Sequence, residues 1–284
     1  MSAAWDSADH PAPDTIGPLG WALALIRGLV LATVVFTGLL VLLCIRLIER
    51  PLCGQGRPVT PHITQTVCKI AFWIMGLRRE VIGTPMRHRG AVVANHTSWL
   101  DIFSLNAAQR IYFVSKSEVA SWPGIGWLAK ATGTLFIERN PKHARKQTEI
   151  FQRRLLDNHR LLFFPEGTST DGKQVLPFKT TLFQSFFAPE LRDAIWVQPV
   201  TVLYTAPVGA DPRFYGWWGD MSFGGHLVRT LASARQGKVT SIYHTPLAVA
   251  DFDNRKTLAQ ACETQVRSAH PSEQIAAPNT AELR

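Results

Sequence analysis

The hydrophobic pattern begins with a long apolar run near the start of the chain. Residues 1–20 are mostly polar, which predicts a disordered lead-in, and residues 21–45 are almost entirely apolar, interrupted by Arg27. A helix that crosses a bilayer needs about 20 apolar residues, so this run predicts a membrane anchor, with Arg27 near one end where it can snorkel. A signal peptide is disfavoured because the start of the chain is acidic. A buried helix of a soluble protein is the remaining alternative.

Positive charges follow the apolar run. Arg46, Arg50 and Arg57 come directly after it. Because basic residues mark the cytoplasmic side of a membrane, we predict a single-pass anchor in the inner membrane, with the rest of the chain facing the cytoplasm. A second apolar patch at residues 70–77 is too short to cross a bilayer, and it predicts either an interfacial helix or an ordinary core helix.

From about residue 90, short apolar runs alternate with amphipathic stretches such as 142–158. The runs are 91–94, 111–114, 135–137, 161–164 and 196–203. This alternation predicts an α/β fold with a mostly parallel central sheet and flanking helices, preceded by the membrane-anchoring helix. Pro199 lies within the last run and predicts an edge strand or a bulge. The expected divisions are a lead-in (1–20), an anchor with interfacial helices (21–80), an α/β domain (81–270) and a flexible tail (271–284).

Composition narrows the possible partners. Charged residues make up 18% of the chain, below the usual soluble average, and the formal net charge is +9. The first value favours contact with a membrane bilayer, and the second favours acidic partners. We find no nucleic-acid-binding motif, so we expect no nucleic acid partner. The four cysteines form no C-x-x-C pair, which predicts reduced thiols and no metal site.

The sequence N-H-T-S-W-L-D at 95–101 is the first candidate for chemistry. It follows a predicted strand, so His96 should lie at the carboxyl end of the sheet, where α/β folds bind ligands. We expect Ser98 to cap the next helix and Asp101 to lie in its first turn. There Asp101 can hold one ring nitrogen of His96, which leaves the other to act as a general base. The same spacing also fits a helix-capping box with no catalytic role.

The sequence F-F-P-E-G-T-S at 163–169 ends another predicted strand. Gly167 permits close backbone approach, while Glu166 and Thr168 offer an acceptor and a hydroxyl beside a ligand. A simple strand-ending turn is the alternative, because Pro and Gly are common turn residues. A nucleotide-binding loop is excluded, since Gln174 stands where the G-x-x-x-x-G-K motif requires Ser or Thr.

With F-I-E-R at 136–139 and V-Q-P-V at 197–200, these blocks resemble those of the glycerolipid acyltransferases that make phosphatidic acid. The resemblance covers about residues 85–205. It implies that His96 is the general base and Asp101 its orienting partner. It also implies an acyl carrier protein or acyl-CoA donor, direct attack by the acceptor hydroxyl, and no metal or other cofactor. The residues expected to hold the lysolipid acceptor are Arg139, Glu166, Gly167, Thr168 and Lys179.

One departure from the family concerns the acceptor. Ser169 stands where the family motif carries an arginine, which disfavours a phosphate headgroup. The stretches 169–172, 176–179 and 215–221 resemble the branch that acylates lyso-ornithine lipid, although 215–221 is also explained by an aromatic interfacial patch. We therefore expect lyso-ornithine lipid as the acceptor. The open alternatives are lysophosphatidic acid, both acceptors, water as in a thioesterase, or a lipid-binding protein without catalysis.

Overall fold

The computed structural model describes residues 5–7, 9, 15–138 and 144–271. Within these ranges the α-helices are α1 (Pro18–Cys53), α2 (Thr60–Met75), α3 (Leu100–Ala108), α4 (Ile125–Ala131), α5 (Ala144–Leu156), α6 (Pro189–Arg192), α7 (Phe223–Ala232) and α8 (Arg255–Ser268). The strands are β1 (Arg78–Ile82), β2 (Gly90–Ala94), β3 (Tyr112–Lys116), β4 (Leu135–Ile137), β5 (Leu161–Phe163), β6 (Trp196–Thr205), β7 (Lys238–Tyr243) and β8 (Leu247–Ala248).

The described strands form one twisted sheet in the order β1-β7-β6-β2-β5-β3-β4, with β8 beside β6. Neighbouring strands are parallel, apart from the antiparallel pairs that β6 makes with β7 and β8. This confirms the predicted α/β fold with a mostly parallel sheet. All five predicted apolar runs form strands. The pattern did not reveal β1, because this edge strand is exposed at every position and carries three charges.

Hydrophobic clusters cover both faces of the sheet. Along β2, Val92 and Ala94 belong to one cluster, and Ala91 and Val93 belong to the other. The first cluster includes residues of α1, α2, α3 and α7, whereas the second includes residues of α5 and α8. A strand buried on both faces has no polar side, which explains why β2 is apolar throughout rather than alternating. β2 is therefore an inner strand of the sheet with hydrophobic clusters on both of its faces.

Pro199 does not lie on an edge strand, so that half of the prediction was wrong, while the bulge stays a prediction. It is in β6, which pairs with β2 on one side and with β7 and β8 on the other. The pairing with β8 ends at Val197, and that with β7 begins at Val200. The Pro199 carbonyl, which points to this second side, accepts a hydrogen bond from the His244 backbone N–H (3.0 Å). Proline is tolerated here because its missing N–H falls at the break between two partner strands.

α1 is long and apolar enough to cross a membrane, with a mean hydropathy of 2.7 in its most apolar stretch. It also packs on the α/β domain. A guanidinium nitrogen of Arg27 donates to the carbonyls of Leu231 (2.9 Å) and Ser233 (2.6 Å), where α7 ends. The snorkelling role expected for Arg27 was therefore wrong, because its side chain caps a helix of the domain. Further along α1, Gly38 packs against Val67 of α2.

The second apolar patch is a core helix, as one of its two predictions had it, and its contact with the membrane interface stays a prediction. In α2 the side chains of Phe72 and Met75 are buried in the core, whereas Trp73 is 83% exposed. This part of α2 is therefore a core helix with an exposed aromatic edge. The cysteines are free thiols, two of them buried. The proposed domain boundaries stay predictions, and residues 272–284 lie outside the described part of the chain.

Candidate active site

The loop after β2 is fixed to the neighbouring strand before it reaches His96. The Asn95 side chain donates to the Val202 carbonyl (2.9 Å) and accepts from the Val202 N–H (2.7 Å). These two bonds continue the pairing of β2 with β6 by one residue, using an amide side chain in place of backbone. His96 is consequently held two residues beyond the end of β2, next to an anchored side chain.

The His96 ring is oriented by two contacts. Its Nδ1 lies 2.8 Å from Oδ2 of Asp101, and its face stacks on Phe164 with the ring centroids 3.9 Å apart. The side chain remains 17% exposed, and within the described residues no hydrogen bond involves Nε2. An imidazole held at Nδ1 by a carboxylate presents its other nitrogen as a proton acceptor. This is the arrangement that the sequence predicts for a general base.

Asp101 is completely buried in the first turn of α3 and accepts three further hydrogen bonds. Oδ2 also accepts from the backbone N–H groups of Thr97 (2.8 Å) and Ser98 (3.0 Å), and Oδ1 accepts from the Tyr204 hydroxyl (2.7 Å). Burial and the nearby Asp101 charge raise the pKa of Tyr204 well above its usual value, so its hydroxyl remains a donor. The expected Ser98 cap is present as a long hydrogen bond, in which the Ser98 hydroxyl oxygen accepts from the Leu100 N–H at the start of α3 (3.4 Å). Ser98 lies one residue before the N-cap position, which Trp99 occupies.

Glu166 connects the two strand-end loops. Its Oε1 accepts from the His96 N–H (2.7 Å), its Oε2 accepts from the Leu176 N–H (2.8 Å), and the residue is only 1% exposed. Burial raises the pKa of Glu166 to about 8, although both N–H bonds act in the opposite direction. Both oxygens are occupied by backbone, so a direct contact between Glu166 and an acceptor stays a prediction, and the visible role is to position His96.

The remaining predicted binding residues of the described chain lie around the loop after β5. Gly167 has a φ of 72°, and a Cβ placed there would lie 2.7 Å from Nζ of Lys179. The left-handed φ favours glycine here, and a larger side chain would displace the adjacent Lys179 ammonium. Thr168 is half-buried, and its hydroxyl oxygen accepts from the Trp5 N–H (3.4 Å). Arg139 lies outside the described residues.

The aromatic segment 215–221 is joined to the His96 loop by one hydrogen bond. Tyr215 and Trp218 are 1% and 2% exposed, and the Trp217 N–H donates to the Thr97 carbonyl (2.9 Å) in the His96 loop. The burial of these two rings disfavours an interfacial patch, the alternative interpretation of this segment, although Trp217 is half-buried. The bond to Thr97 ties the segment to the residues that hold Asp101.

Two contacts near the candidate site are not predicted by the sequence. Tyr204 is 103 residues from Asp101 in the chain, and it meets Asp101 because β6 pairs with β2. No motif marks it, since tyrosine in an apolar strand is ordinary. Trp5 belongs to the expected lead-in, yet it binds Thr168 and its ring lies 6.4 Å from that of Trp218.

Comparisons with known proteins agree with this geometry. The family model described as Acyltransferase matches residues 78–203. The chain is 59% identical over 261 residues to a Rhodobacter capsulatus protein named lyso-ornithine lipid O-acyltransferase, covering 92% of this chain and 95% of that protein. The chain belongs to the acyltransferase family. It is thus an enzyme of the class that the sequence motifs predicted.

Other acyltransferases resemble this chain, either over part of its sequence or in its fold. A Neisseria gonorrhoeae protein named 1-acyl-sn-glycerol-3-phosphate acyltransferase is 41% identical over 98 residues, covering 33% of this chain and 37% of that protein. The crystal structure of the 1-acyl-sn-glycerophosphate (LPA) acyltransferase PlsC from Thermotoga maritima superposes with a TM-score of 0.57 at 21% identity, covering 89% of this chain and 98% of that one. At this identity the superposition shows a common fold.

Proposed function

We propose that this acyltransferase moves a fatty acyl group from an acyl carrier protein or acyl-CoA to the free hydroxyl of lyso-ornithine lipid. The observation that carries the proposal is the His96 ring, held at Nδ1 by Asp101 with Nε2 unoccupied by described residues. Nε2 takes the proton of the acceptor hydroxyl while its oxygen attacks the thioester carbonyl. A C–O ester bond forms, the C–S bond breaks, and the thiolate leaves with the proton that the imidazolium returns.

Asp101 supports this step without giving up a proton. It fixes the ring tautomer and places a negative charge beside the imidazolium that forms during attack. The reaction needs no covalent acyl-enzyme and no metal. A thioesterase would use the same pair to activate water, so the acceptor that receives the acyl group distinguishes the two reactions.

Two observations support lyso-ornithine lipid as the acceptor. Ser169 replaces the arginine of the family motif, and the Rhodobacter capsulatus relative carries that activity in its name. A charge-assisted hydrogen bond contributes about 1.5–3 kcal/mol, which corresponds to about one to two decades in affinity. Without that arginine, a phosphate headgroup loses this contribution to its binding free energy. The ornithine headgroup carries both a carboxylate and an ammonium, so its binding depends less on a positive side chain.

A second acceptor, lysophosphatidic acid, is favoured by the position of Lys179. Its ammonium lies beside the Gly167 loop and offers a positive charge to a phosphate. The Neisseria gonorrhoeae relative is named for this type of acceptor. Arg139, if it binds the headgroup as the resemblance implies, would add a second cation.

Steady-state kinetics with both acceptors tests the proposal. We expect wild type to show the higher kcat/KM with lyso-ornithine lipid, and Ser169→Arg to shift the ratio toward lysophosphatidic acid by about tenfold or more. Ser268→Arg is the matched control, because it adds the same charge at an exposed position of α8. Equal use of lysophosphatidic acid by wild type, with no change of ratio in Ser169→Arg, would overturn the acceptor assignment.

We also propose that the catalytic domain faces the cytoplasm at the inner membrane, with α1 as its anchor. Gly20 packs against Ala232 of α7 and Gly38 against Val67 of α2, and α2 is itself packed in the core of the domain, so α1 is held by the rest of the fold at points separated by about 27 Å of helix. That length is close to the thickness of the hydrocarbon core, about 30 Å. A full crossing would therefore pull the domain into the bilayer, and the packing favours an anchor with one face in lipid over the single-pass helix predicted from sequence.

Chemical labelling distinguishes these placements. We expect alkaline carbonate to leave the protein in the membrane fraction. We also expect an impermeant thiol reagent, applied outside cells, to miss an Ile16→Cys variant in a chain whose four natural cysteines are replaced by serine. Labelling of that residue from outside would establish the crossing.

A further inference from the structure

A cavity of about 490 Å³ lies where the end of α1 meets α4. Its basic lining residues are Arg46, Arg50, Arg57 and Lys130. Its apolar lining includes Leu39, Leu43 and Trp127. None of the candidate catalytic or acceptor-binding residues is among the residues that line it.

The cavity carries an excess of positive charge. Arg46 is paired with Glu49 (3.2 Å) and binds the carbonyls of Gly54 and Gly56, so it is fixed in place. Arg57 donates to the Ala131 carbonyl (2.7 Å), and burial together with the Arg46 charge lowers the pKa of Arg57. Like charges held this close favour binding of an anion.

Two of the cations are available for a ligand. Arg50 and Lys130 are exposed, and within the described residues neither pairs with an acidic side chain. Both can therefore turn toward an anion in the cavity. Lys and Arg close to a membrane surface each contribute about 1 kcal/mol to the attraction of anionic lipid.

The other side of the cavity is suited to an acyl chain. Leu43 and Trp127 are 46% and 66% exposed, and Leu40 and Leu47 continue the apolar surface along α1. Large exposed apolar surfaces of this kind mark contact with lipid or protein. A cationic recess joined to a lipid-facing helix matches a molecule with an anionic head and an apolar tail. An acidic carrier protein presents charge but no free acyl chain for this surface.

We propose that this cavity binds an anionic phospholipid of the surrounding membrane. Its phosphate lies between Arg50, Arg57 and Lys130, and its acyl chain lies along Leu43 and Trp127. The bound lipid would fix the end of α1 against α4 at the membrane surface. This site is separate from acceptor binding, so it stands whichever lysolipid is the substrate.

The test measures lipid binding to the purified full chain in neutral detergent, without acyl donor or acceptor. Phosphatidylglycerol is titrated while the midpoint of thermal unfolding is followed, with phosphatidylcholine, inorganic phosphate and acyl carrier protein in parallel. The cavity variant is Arg50→Gln with Lys130→Gln. The matched control is Arg235→Gln with Lys256→Gln, because these exposed cations lie outside the cavity and give the same change of charge.

We expect phosphatidylglycerol to raise the midpoint of wild type and of the control. The cavity variant should need roughly 30-fold more of it, at about 1 kcal/mol for each lost cation. Trp127→Ala should also weaken the effect of the lipid. Equal losses in the cavity variant and the control would overturn the proposal, since charge alone would then explain binding. The proposal would also be overturned if inorganic phosphate, the carrier protein or phosphatidylcholine raised the unfolding midpoint as much as phosphatidylglycerol does.

Discussion

The segments that follow β2 and β5 each supply a buried carboxylate, Asp101 in the first turn of α3 and Glu166 in the loop after β5, and the two carboxylates are used differently. Asp101 accepts bonds from the His96 ring and the Tyr204 hydroxyl as well as from backbone. The bonds of Glu166 come only from backbone N–H groups, one of them that of His96. The first carboxylate therefore orients the His96 ring, and the second joins the two segments to each other.

The difference suggests a catalytic role for Asp101 and a structural role for Glu166 within one site. A charge beside a ring that becomes cationic stabilises the transition state of proton transfer. A carboxylate that accepts two backbone bonds keeps His96 at a fixed distance from the β5 loop. Replacing Asp101 should reduce turnover with little change in stability. Replacing Glu166 should mainly reduce the stability of the fold.

The largest expected effect comes from removing the base. We predict that His96→Ala lowers kcat by about 10²–10⁴-fold, the usual contribution of a general base. A labelled acyl thioester with lyso-ornithine lipid measures the rate. His88→Ala is the control, because His88 is exposed and stacks on Trp196 rather than on a strand-end loop. A His96→Ala enzyme within tenfold of wild type would disprove the mechanism.

The position of His96 was predictable because its signals are local. The motif N-H-T-S-W-L-D follows a strand that is apolar on both faces, which places the histidine at the carboxyl end of the sheet. The motif F-P-E-G-T follows another apolar strand and places Glu166 at the same edge. Tyr204 was not predictable, because its contact with Asp101 depends on which strands are neighbours and on their register. The Arg27 contact with α7 was missed for the same reason, since a sequence does not show which surface an apolar helix meets.

Next in size is the effect of removing the charge of Asp101. In Asp101→Asn the amide oxygen can take the place of Oδ2, and the amide N–H can donate to Tyr204 if that hydroxyl turns. The geometry and the unfolding midpoint should therefore be kept, while kcat falls about 10²-fold for lack of charge beside the imidazolium. A stable variant with wild-type kcat would show that the charge is unimportant.

Glu166→Gln should first affect stability. The glutamine amide N–H₂ is a donor and would face one of the two backbone N–H donors that Glu166 binds. A buried donor is then left unsatisfied, which lowers the unfolding free energy by about 1–3 kcal/mol. The pKa of Glu166 is raised in the folded state, from 4.5 to about 8, so the unfolded state ionises first as the pH rises. Wild type should then lose stability between these pH values, by at most about 1.4 kcal/mol per unit.

The variant should lack this component of the pH dependence. Unfolding midpoints of wild type and Glu166→Gln in detergent, measured from pH 4.5 to 8, provide the comparison. Glu190→Gln, at an exposed position, should follow wild type. If the gap between wild type and Glu166→Gln does not change with pH, the raised pKa of Glu166 is wrong.

The smallest effect is expected from Tyr204→Phe, which tests whether Tyr204 positions Asp101. Tyr204→Phe removes one of four bonds to a buried carboxylate, and the other three keep Asp101 in place. Since part of a bond worth about 1.5–3 kcal/mol is recovered by relaxation, kcat should fall about three- to tenfold with KM unchanged. Tyr215→Phe is the matched control, because its ring lies 5.5 Å from that of Tyr204 and its hydroxyl binds Gln236 instead of Asp101. A loss in kcat confined to Tyr204→Phe places the hydroxyl in the orienting network. A change in KM alone would instead assign Tyr204 to acceptor binding, and equal losses in both variants would reduce its role to packing.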